Sequence, residues 1–462
     1  MGGLETLGQI KEFNSNIPVV MITKSEEETL MNEAIGGKIS DYLTKPVNPS
    51  QVLLVCKKIL EGKKISGQFA AKDYLHDFNE ISMQLTNNLD FEEWVDIYLK
   101  LTNWDVELDQ HPNIGLHQTL NDQKKEANKE FGKFVEKNYR SWIKNPDDPY
   151  SPTLSPKIFE KYVVPHVKDE RSIVFFFVID CLRLDQWLVM EKHLLEYFRI
   201  EKDYYYSILP TATPYSRNSL FAGLYPSEIE NYYPDIYRTD NDENSMNKNE
   251  KELLQLFLDR KRIKLRNDLK YTKIIDPDVG RNFEQNILSY QNTHLNAVVV
   301  NFLDMIAHGR SDSEILKEIA PDEAAYRSLT DSWFKHSSLL NTFKAIANVK
   351  NIKIVITTDH GSIRALRGAK VLGDREASTN LRFKFGRNLK VDDKHAVYVK
   401  NADEYKLPKM GVTINYIISK EDYYFVYPTD YHKFLTHYKD TFQHGGISME
   451  EMILPVITME PK

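Results

Sequence analysis

The chain has 462 residues, which predicts about three domains, and its 41% hydrophobic and 27% charged residues exclude a wholly disordered protein. The formal net charge of −7 argues against a general surface for binding duplex DNA, and apolar runs such as Ile173–Ile179 are far shorter than the roughly 18 residues that span a bilayer. The two cysteines, Cys56 and Cys181, exclude a disulfide framework, and we expect a cytoplasmic protein without membrane insertion.

The N-terminal region alternates short strands with helices. Residues 17–22 and 41–44 have strand patterns, whereas residues 25–34 and 51–60 have helical patterns, with Ser25 as a candidate N-cap. This alternation is typical of a parallel sheet, although two strands do not form a stable sheet by themselves.

Residues 69–144 contain no strand pattern and read as a helical bundle. Apolar residues recur at helical spacing at Trp94, Ile97, Tyr98 and Leu101, and residues 126–142 have a second helical pattern. Prolines then crowd residues 146–156, which predicts a linker or loop.

The remaining part of the chain predicts a large α/β unit. Unbroken Val, Ile and Phe runs at residues 173–179, 297–300 and 352–356 are typical of strands buried on both faces, and helical patterns lie between them. Residues 239–251 read as a polar loop, and residues 394–427 predict a β-rich insertion.

Each of the three long apolar runs leads to an acidic residue, at Asp180, Asp304 and Asp359. Ligands of open parallel sheets lie beyond the carboxyl ends of the strands. Carboxylates brought together at that edge would repel one another unless a cation neutralised them. Taken singly, each aspartate is more often a helix cap or a turn residue.

Three histidines accompany these aspartates. His308 follows Asp304 at helical i, i+4 spacing, His360 follows Asp359 directly, and His444 lies in a glycine-rich turn. Carboxylate and imidazole ligands together favour zinc over manganese. Asp304 and His308 could equally form a plain surface pair on one helix.

Thr213 is the candidate nucleophile. It stands just before a predicted helix over residues 216–224, where the helix dipole favours an anion such as phosphate. Metal coordination can activate a threonine hydroxyl, and Arg217 could hold phosphate oxygens bidentately. The alternatives are a helix-capping threonine and a surface ion pair.

Taken together, these segments resemble the alkaline phosphatase superfamily and, within it, the PglZ-type domain of PorX response regulators of the type IX secretion system. The resemblance implies that Thr213, rather than Thr211, is the nucleophile. It implies one metal held by Asp180, Thr213, Asp359 and His360, and a second held by Asp304, His308 and His444.

The N-terminal segment is similar to the second half of a two-component receiver domain, in which Thr23 and Lys45 match the phosphate-sensing residues. We therefore predict a partial flavodoxin-like receiver (residues 1–66), a helical bundle with a linker (67–165) and an alkaline-phosphatase-like α/β PglZ domain with a mostly parallel sheet (166–462). The receiver's first strands and its phosphoacceptor aspartate would precede Met1, so we expect that this chain does not accept a phosphoryl group in the usual way.

One segment departs from the superfamily pattern. Phosphodiesterases of the superfamily carry His-Gly and then a phosphate-binding Asn at the place where this chain reads Ser227-Glu228-Ile229-Glu230-Asn231. The choice of substrate therefore cannot be transferred from the superfamily.

The resemblance implies a response regulator whose effector domain hydrolyses phosphodiester bonds in cyclic or linear oligonucleotides with one or two Zn²⁺ ions and so regulates type IX secretion. The alternative is a signalling adaptor with a mainly structural zinc site, which docks a secretion-motor protein or a sigma factor and can form a homodimer. A sulfatase is excluded because those enzymes need Cys or Ser at the position of Thr213. A phosphoglycerate mutase or phosphopentomutase stays open, since its C-terminal motif resembles residues 444–446.

Overall fold

The computed structural model describes residues 2–24, 28–237, 247–374, 378–411 and 413–462. Ser25, the predicted N-cap, and most of the predicted polar loop at 239–251 lie outside the described residues. The chain divides into two units, one made of Met1–Phe78 and Gln110–Leu116, the other of Asn79–Asp109 and His117–Lys462.

The first unit contains a two-stranded parallel sheet, as predicted. Its elements are α1 (Gly3–Phe13), β1 (Val20–Thr23), α2 (Glu28–Gly36), β2 (Asp41–Thr44) and the part of α3 (Pro49–Gln84) up to Phe78. Val20 pairs with Asp41 at the start of the two strands. Leu7 and Ala34 are buried, whereas large apolar side chains such as Phe13 and Leu54 are exposed.

The second unit begins with the helical part of the chain, in helices α4 (Phe91–Asp109) and α5 (His117–Lys144). Helix α4 starts with a capping box, because Asp90 Oδ1 accepts the N–H of Glu93 while Glu93 Oε2 accepts the N–H of Asp90. The predicted stripe of α4 is buried, and Trp94 packs edge-on against Phe131 of α5 with ring centroids 5.3 Å apart.

A six-stranded sheet forms the centre of the second unit. Its strand order is β4-β15-β7-β3-β6-β5, where the strands are β3 (Ile173–Ile179), β4 (Phe198–Tyr206), β5 (Lys270–Ile274), β6 (Leu295–Val300), β7 (Ile352–Thr357) and β15 (Ile453–Pro461). Strand β15 runs antiparallel to both of its neighbours, and the pairs β3–β6, β3–β7 and β5–β6 are parallel. The mostly parallel α/β fold is therefore confirmed.

Helices cover both faces of this sheet. The helices of the second unit that follow α5 are α6 (Val164–Val167), α7 (Leu184–Glu191), α8 (Thr213–Ala222), α9 (Pro226–Tyr232), α10 (Glu250–Arg260), α11 (Pro277–Asn286), α12 (Phe302–Asp312), α13 (Glu314–Ile319), α14 (Glu323–Lys335), α15 (Ser338–Ile346), α16 (Tyr431–Tyr438) and α17 (Met449–Met452), of which α16 packs on the β-rich insertion. Successive side chains of β3 point to opposite faces of the sheet and pack in different hydrophobic clusters. Phe176 packs in the cluster that contains Phe257 of α10, and Phe177 packs in the cluster that contains Phe343 of α15. Both faces of β3 are buried, which explains its unbroken apolar sequence.

The β-rich insertion is larger than the predicted residues 394–427. Its strands are β8 (Ile363–Ala365), β9 (Arg367–Lys370), β10 (Phe383–Gly386), β11 (Ala396–Val399), β12 (Asn415–Ser419), β13 (Tyr423–Val426) and β14 (Thr441–Gln443). Strands β10, β12 and β11 form one antiparallel sheet, β13 pairs with β9, and β14 pairs with β8. The pattern missed the early strands because they have only three or four residues, too few to establish a period.

Among the described residues, no helix combines the length and the apolar character that crossing a membrane requires.

Candidate metal centre

The carboxyl edge of the central sheet gathers the predicted ligands. Asp180 directly follows β3, Asp359 follows β7, and Asp304 lies in the first turn of α12 after β6. Because β3 lies between β7 and β6, the three segments leave the sheet side by side. The side chains form two groups of potential ligand atoms within 4.8 Å of one another, an inner group of Asp180, Asp359 and His360 and an outer group of Asp304, His308 and His444.

The inner group is completely buried, with each residue no more than 1% exposed. His360 Nε2 lies 3.7 Å from Asp180 Oδ1 and 3.7 Å from Asp359 Oδ2. Burial raises the pKa of Asp180 to about 8, even though the Arg217 guanidinium lowers it, and burial also raises the pKa of Asp359. Burial lowers the pKa of His360, which favours the neutral ring that ligates metals.

The outer group is more open. The side chain of His308 is 49% exposed, and its Nε2 lies 3.3 Å from Asp304 Oδ1 and 3.2 Å from His444 Nε2. Burial alone would raise the pKa of Asp304, but its hydrogen bond to His308 and the nearby imidazoles hold that pKa below its usual value. Burial and the neighbouring His360 lower the pKa of His444 well below its usual value.

Strand pairing in the insertion explains how the two groups become neighbours. Gln443 at the end of β14 pairs with Ile363 at the start of β8, and β8 follows His360 closely in the chain. His444 is thereby placed against His360, with the two rings stacked at a centroid distance of 4.1 Å. The predicted ligands, more than 80 residues apart in sequence, therefore meet through a short antiparallel pair.

Thr213 borders the inner group. It is the first residue of α8, the residue is 9% exposed, and its Oγ1 lies 2.9 Å from His360 Nε2. Thr211 has a different environment: its Oγ1 donates to Gly446 O (2.8 Å) and accepts the N–H of Gly445 (3.1 Å). Thr211 thus braces the turn that carries His444, and Thr213 is the threonine that contacts a potential ligand.

Arg217 lies behind the inner group, one turn along α8. Its Nη1 donates to Asp180 Oδ2 at 2.6 Å, its Nε donates to Glu250 Oε1 at 2.6 Å, and the side chain is almost completely buried. We expected Arg217 to hold phosphate oxygens, but both of these bonds go to carboxylates. The pairs are buried, whereas the alternative from the sequence was a surface ion pair, and a contact of Arg217 with phosphate stays a prediction.

Two further residues of this environment were not predicted from the sequence. Glu250 accepts hydrogen bonds from Arg217 and from the Tyr271 hydroxyl, and Asn301 Nδ2 donates to Asp180 Oδ2 at 3.1 Å. Glu250 follows a polar stretch and begins an ordinary amphipathic helix, so nothing local marks it. Asn301 follows the buried strand β6, and that position at the carboxyl edge of the sheet is a signal that could have found it.

Arg183 and Asp185, which follow Asp180 in the chain, have a structural role. Arg183 Nε donates to Asp185 Oδ1 at 2.9 Å, and its Nη1 donates to Glu323 at 3.3 Å. Asp185 also accepts a hydrogen bond from Arg327 at 3.0 Å. These bonds form a buried ion network behind the metal centre.

Carboxylate oxygens without hydrogen-bond partners indicate that these candidate ligands fit a divalent cation. Asp180 Oδ1 and both Asp359 carboxylate oxygens are buried and have no hydrogen-bond partner among the described residues. A buried carboxylate oxygen without a partner is costly, and a bound cation removes that cost. Carboxylates combined with imidazoles match the donor set of zinc.

Comparison with known families divides the chain into three stretches. Residues 158–459 match the BREX system PglZ alkaline phosphatase-like domain, residues 64–143 the PorX response regulator linker domain, and residues 1–57 the response regulator receiver domain. The chain is 36% identical over 62 residues to the two-component response regulator ORR5 of Oryza sativa subsp. japonica and to that of subsp. indica. This stretch is 13% of the chain and 46% of those proteins, so the chain spans about half the length of the curated relatives that it matches.

Similar solved structures include murine ectonucleotide pyrophosphatase/phosphodiesterase 5, at 12% identity, with a TM-score of 0.41 over 63% of this chain and 88% of that one. Another is phosphonoacetate hydrolase from Sinorhizobium meliloti 1021 in complex with phosphonoformate, at 12% identity, with a TM-score of 0.37 over 63% of this chain and 90% of that one. The PglZ match alone covers more than half of the chain. The chain therefore belongs to the PglZ alkaline phosphatase-like family and has the receiver, linker and PglZ segments of a PorX-type response regulator.

Proposed function

We propose that the PglZ domain is a metal-dependent phosphodiesterase with Thr213 as its nucleophile. The observation that carries this proposal is the position of the Thr213 hydroxyl, 2.9 Å from His360 Nε2 beside the inner group. Thr213 also begins α8, where the helix dipole favours the negative charge of a phosphate group.

The inner group with Thr213 would hold one cation and the outer group the second, with Zn²⁺ favoured over Mn²⁺ by the donor set. Bound cations would supply Lewis-acid chemistry, stabilising negative charge on the hydroxyl and phosphate oxygens. Thr213 Oγ1 attacks phosphorus in line, forming the Oγ–P bond while the bond to the leaving alcohol breaks. Water then hydrolyses the phosphothreonine ester, which returns the hydroxyl and releases the phosphate monoester.

Arg217 acts in this proposal as a positioning residue. Its two buried ion pairs hold Asp180 and Glu250 on either side of one planar guanidinium, which fixes the orientation of the Asp180 carboxylate. A ligand that is held from behind in this way keeps its geometry when the substrate enters.

The natural substrate and partners are part of the same proposal. The resemblance to PorX implies cyclic or linear oligonucleotides as substrates, regulation of type IX secretion, and a secretion-motor protein or sigma factor as partner. It also implies that a homodimer can form in the cytoplasm. The matches to the linker and receiver families support this reading at the level of family.

The direct test is hydrolysis of bis-p-nitrophenyl phosphate by the full chain in the presence of zinc. Thr213→Ala should lower turnover by on the order of 10³-fold or more, because it removes the attacking oxygen. Thr436→Ala is the matched control, since this exposed threonine donates to His432 O of its own helix. Turnover at the wild-type level in Thr213→Ala would remove Thr213 from this role.

The second candidate is a signalling adaptor with a mainly structural zinc site, which the complete burial of the inner group favours. Metal removal separates the two candidates. A structural zinc would lower the unfolding temperature and change the oligomeric state of the chain, whereas a catalytic zinc would chiefly abolish turnover.

A further inference from the structure

We propose that helix α5 of the linker sets the geometry of the metal centre through Asn128, a positioning residue for the segment that follows His444. Of the measurements that test this proposal, only turnover depends on the proposed function. Its basis is a chain of contacts that leads from α5 to both groups of potential ligands.

The first contact joins α5 to helix α17. Asn128 is 4% exposed, its Oδ1 accepts the N–H of Met449 at 2.8 Å, and its Nδ2 donates to Glu450 Oε2 at 2.9 Å. Met449 is the first residue of α17, so Asn128 satisfies a backbone N–H that a helix start leaves without an intrahelical partner. A side chain within the linker match therefore caps a helix within the PglZ match.

The second contact joins α17 to His360. The Gly361 N–H donates to Glu451 O at 3.3 Å, and the Glu450 carbonyl oxygen lies so close to Gly361 that a Cβ there would be 1.9 Å from it. Only glycine allows this approach, and Gly361 directly follows His360. The backbone of α17 and the backbone beside His360 therefore cannot shift independently.

The third contact joins α17 to His444. Glu451 Oε1 accepts the N–H of Gly446 at 2.8 Å, and the same carboxylate pairs with Arg382 through bonds of 3.1 and 2.5 Å. Gly446 lies two residues after His444. The four-residue helix α17 is thus bonded to segments that carry one residue from the inner group and one from the outer group.

Lys124, one turn before Asn128 on α5, fixes the helix in place. Its Nζ lies 2.6 Å from Asp105 of α4, 3.0 Å from Glu323 of α14 and 3.9 Å from Glu450. These buried pairs join α5 to two other helices and to the residue that Asn128 contacts. A change in the position of α5 must therefore either move α17 or break the bonds of Asn128.

The test compares the full-length wild type with Asn128→Ala, using Asn138→Ala as the matched control. Asn138 is on the same helix, and its amide donates to Phe134 O of α5 itself. Three quantities are measured: the zinc dissociation constant by chelator competition, hydrogen exchange of residues 444–452 in the metal-free chain, and kcat and KM for bis-p-nitrophenyl phosphate.

Asn128→Ala should raise the zinc dissociation constant by on the order of 10-fold or more and speed exchange in residues 444–452, as expected when a group that orients ligands is lost. It should lower kcat more than it raises KM. Wild-type zinc affinity and exchange in Asn128→Ala, or the same changes in Asn138→Ala, would overturn the proposal. Because affinity and exchange need no substrate, they decide it even if Thr213→Ala shows that the chain is not a phosphodiesterase.

A charge swap provides the rescue and covers the case in which Asn128→Ala fails to fold. Asn128→Asp alone places one new carboxylate against that of Glu450, whereas Asn128→Asp combined with Glu450→Gln restores a hydrogen bond of reversed direction. The double variant should regain zinc affinity relative to Asn128→Asp. Equal affinities of the single and double variants would contradict a positioning role for this pair.

Discussion

The inner and outer groups use the same kinds of side chain in opposite environments. Asp180, Asp359 and His360 are sealed from solvent, whereas in the outer group the side chain of His308 is 49% exposed and that of Asp304 is 18% exposed. The inner group carries two carboxylates and one imidazole, and the outer group one carboxylate and two imidazoles.

Electrostatics separates the two groups further. Burial raises the pKa of Asp180 and Asp359, so the inner group resists ionisation without a cation, despite the nearby Arg217. For Asp304, burial also raises the pKa, but the neighbouring histidines lower it by more, so the pKa lies below its usual value. The inner group therefore depends on an added positive charge, while the outer group is balanced by its own residues.

The largest effect is expected on turnover, when Asp359→Ala in the inner group is compared with His308→Ala in the outer group. Asp359→Ala should lower turnover of the diester by on the order of 10³-fold, because no water can replace a ligand in the sealed inner group. His308→Ala should cost about 10- to 100-fold, because solvent reaches the outer group. Turnover and zinc content per chain are measured for both, with His437→Ala as the exposed control. Equal losses in the two variants would remove the distinction between the groups.

A smaller effect is expected from Arg217→Gln in the metal-free chain. Removing the guanidinium should lower the free energy of unfolding by about 3 kcal/mol, the lower end for a broken buried pair, because Lys273 still lies 3.3 Å from Glu250 Oε2. The midpoint of urea unfolding measures this loss. Arg140→Gln is the control, since its pair with Glu404 is exposed and should matter little.

Adding Glu250→Gln to Arg217→Gln should restore part of the stability, since it removes a buried carboxylate that Lys273 alone compensates less well than Lys273 and Arg217 together. A double variant no more stable than Arg217→Gln alone would show that Glu250 is not held by this pair. Zinc should also stabilise Arg217→Gln, by supplying a positive charge to Asp180.

The smallest expected effect is the change in stability per pH unit in the metal-free chain, at most about 1.4 kcal/mol per unit for a single group. The pKa of Asp180 is about 8 in the folded chain, against an ordinary value of 3.8, so the folded state keeps a proton that the unfolded state has lost. Stability should therefore fall as pH rises from about 5 to about 8, which is the opposite of the usual behaviour of a salt-bridged aspartate.

Thermal unfolding of the chelated chain between pH 5 and 8 measures this slope, and Asp180→Asn is the comparison. The variant should lose the part of the slope that belongs to Asp180, and zinc-loaded wild type should also lose it, because the bound form is deprotonated. Identical slopes in wild type and Asp180→Asn would assign the effect to other groups.

The chemistry of the site was predictable where it follows strand ends and helical spacing. Buried apolar runs located β3, β6 and β7, and the residues beyond them located Asp180 and Asp359. The i, i+4 spacing of Asp304 and His308 placed both on one turn of α12, where the structure has them 3.3 Å apart. The roles of Thr213 and of the individual ligands stay predictions until the variants are measured.

The contacts of Arg217 and Asn128 could not be predicted, because each depends on a partner from a distant segment. Glu250 lies 33 residues from Arg217, and Glu450 lies 322 residues from Asn128. The local sequence around Glu250 and Glu450 gives no sign of these contacts. An arginine one turn after a nucleophile can bind a phosphate as well as a carboxylate.

The sequence by itself determined the order of the domains, three of the six strands of the central sheet and the chemical types that gather at its carboxyl edge. Hydrophobic periodicity and helical spacing are local properties, so they can be identified in the sequence without knowledge of the fold. Only the tertiary structure decided which group is sealed, which arginine faces a carboxylate, and that α5 braces the helix after His444. Burial and charge pairing arise between segments far apart in the chain, so they exist only once the segments have packed together.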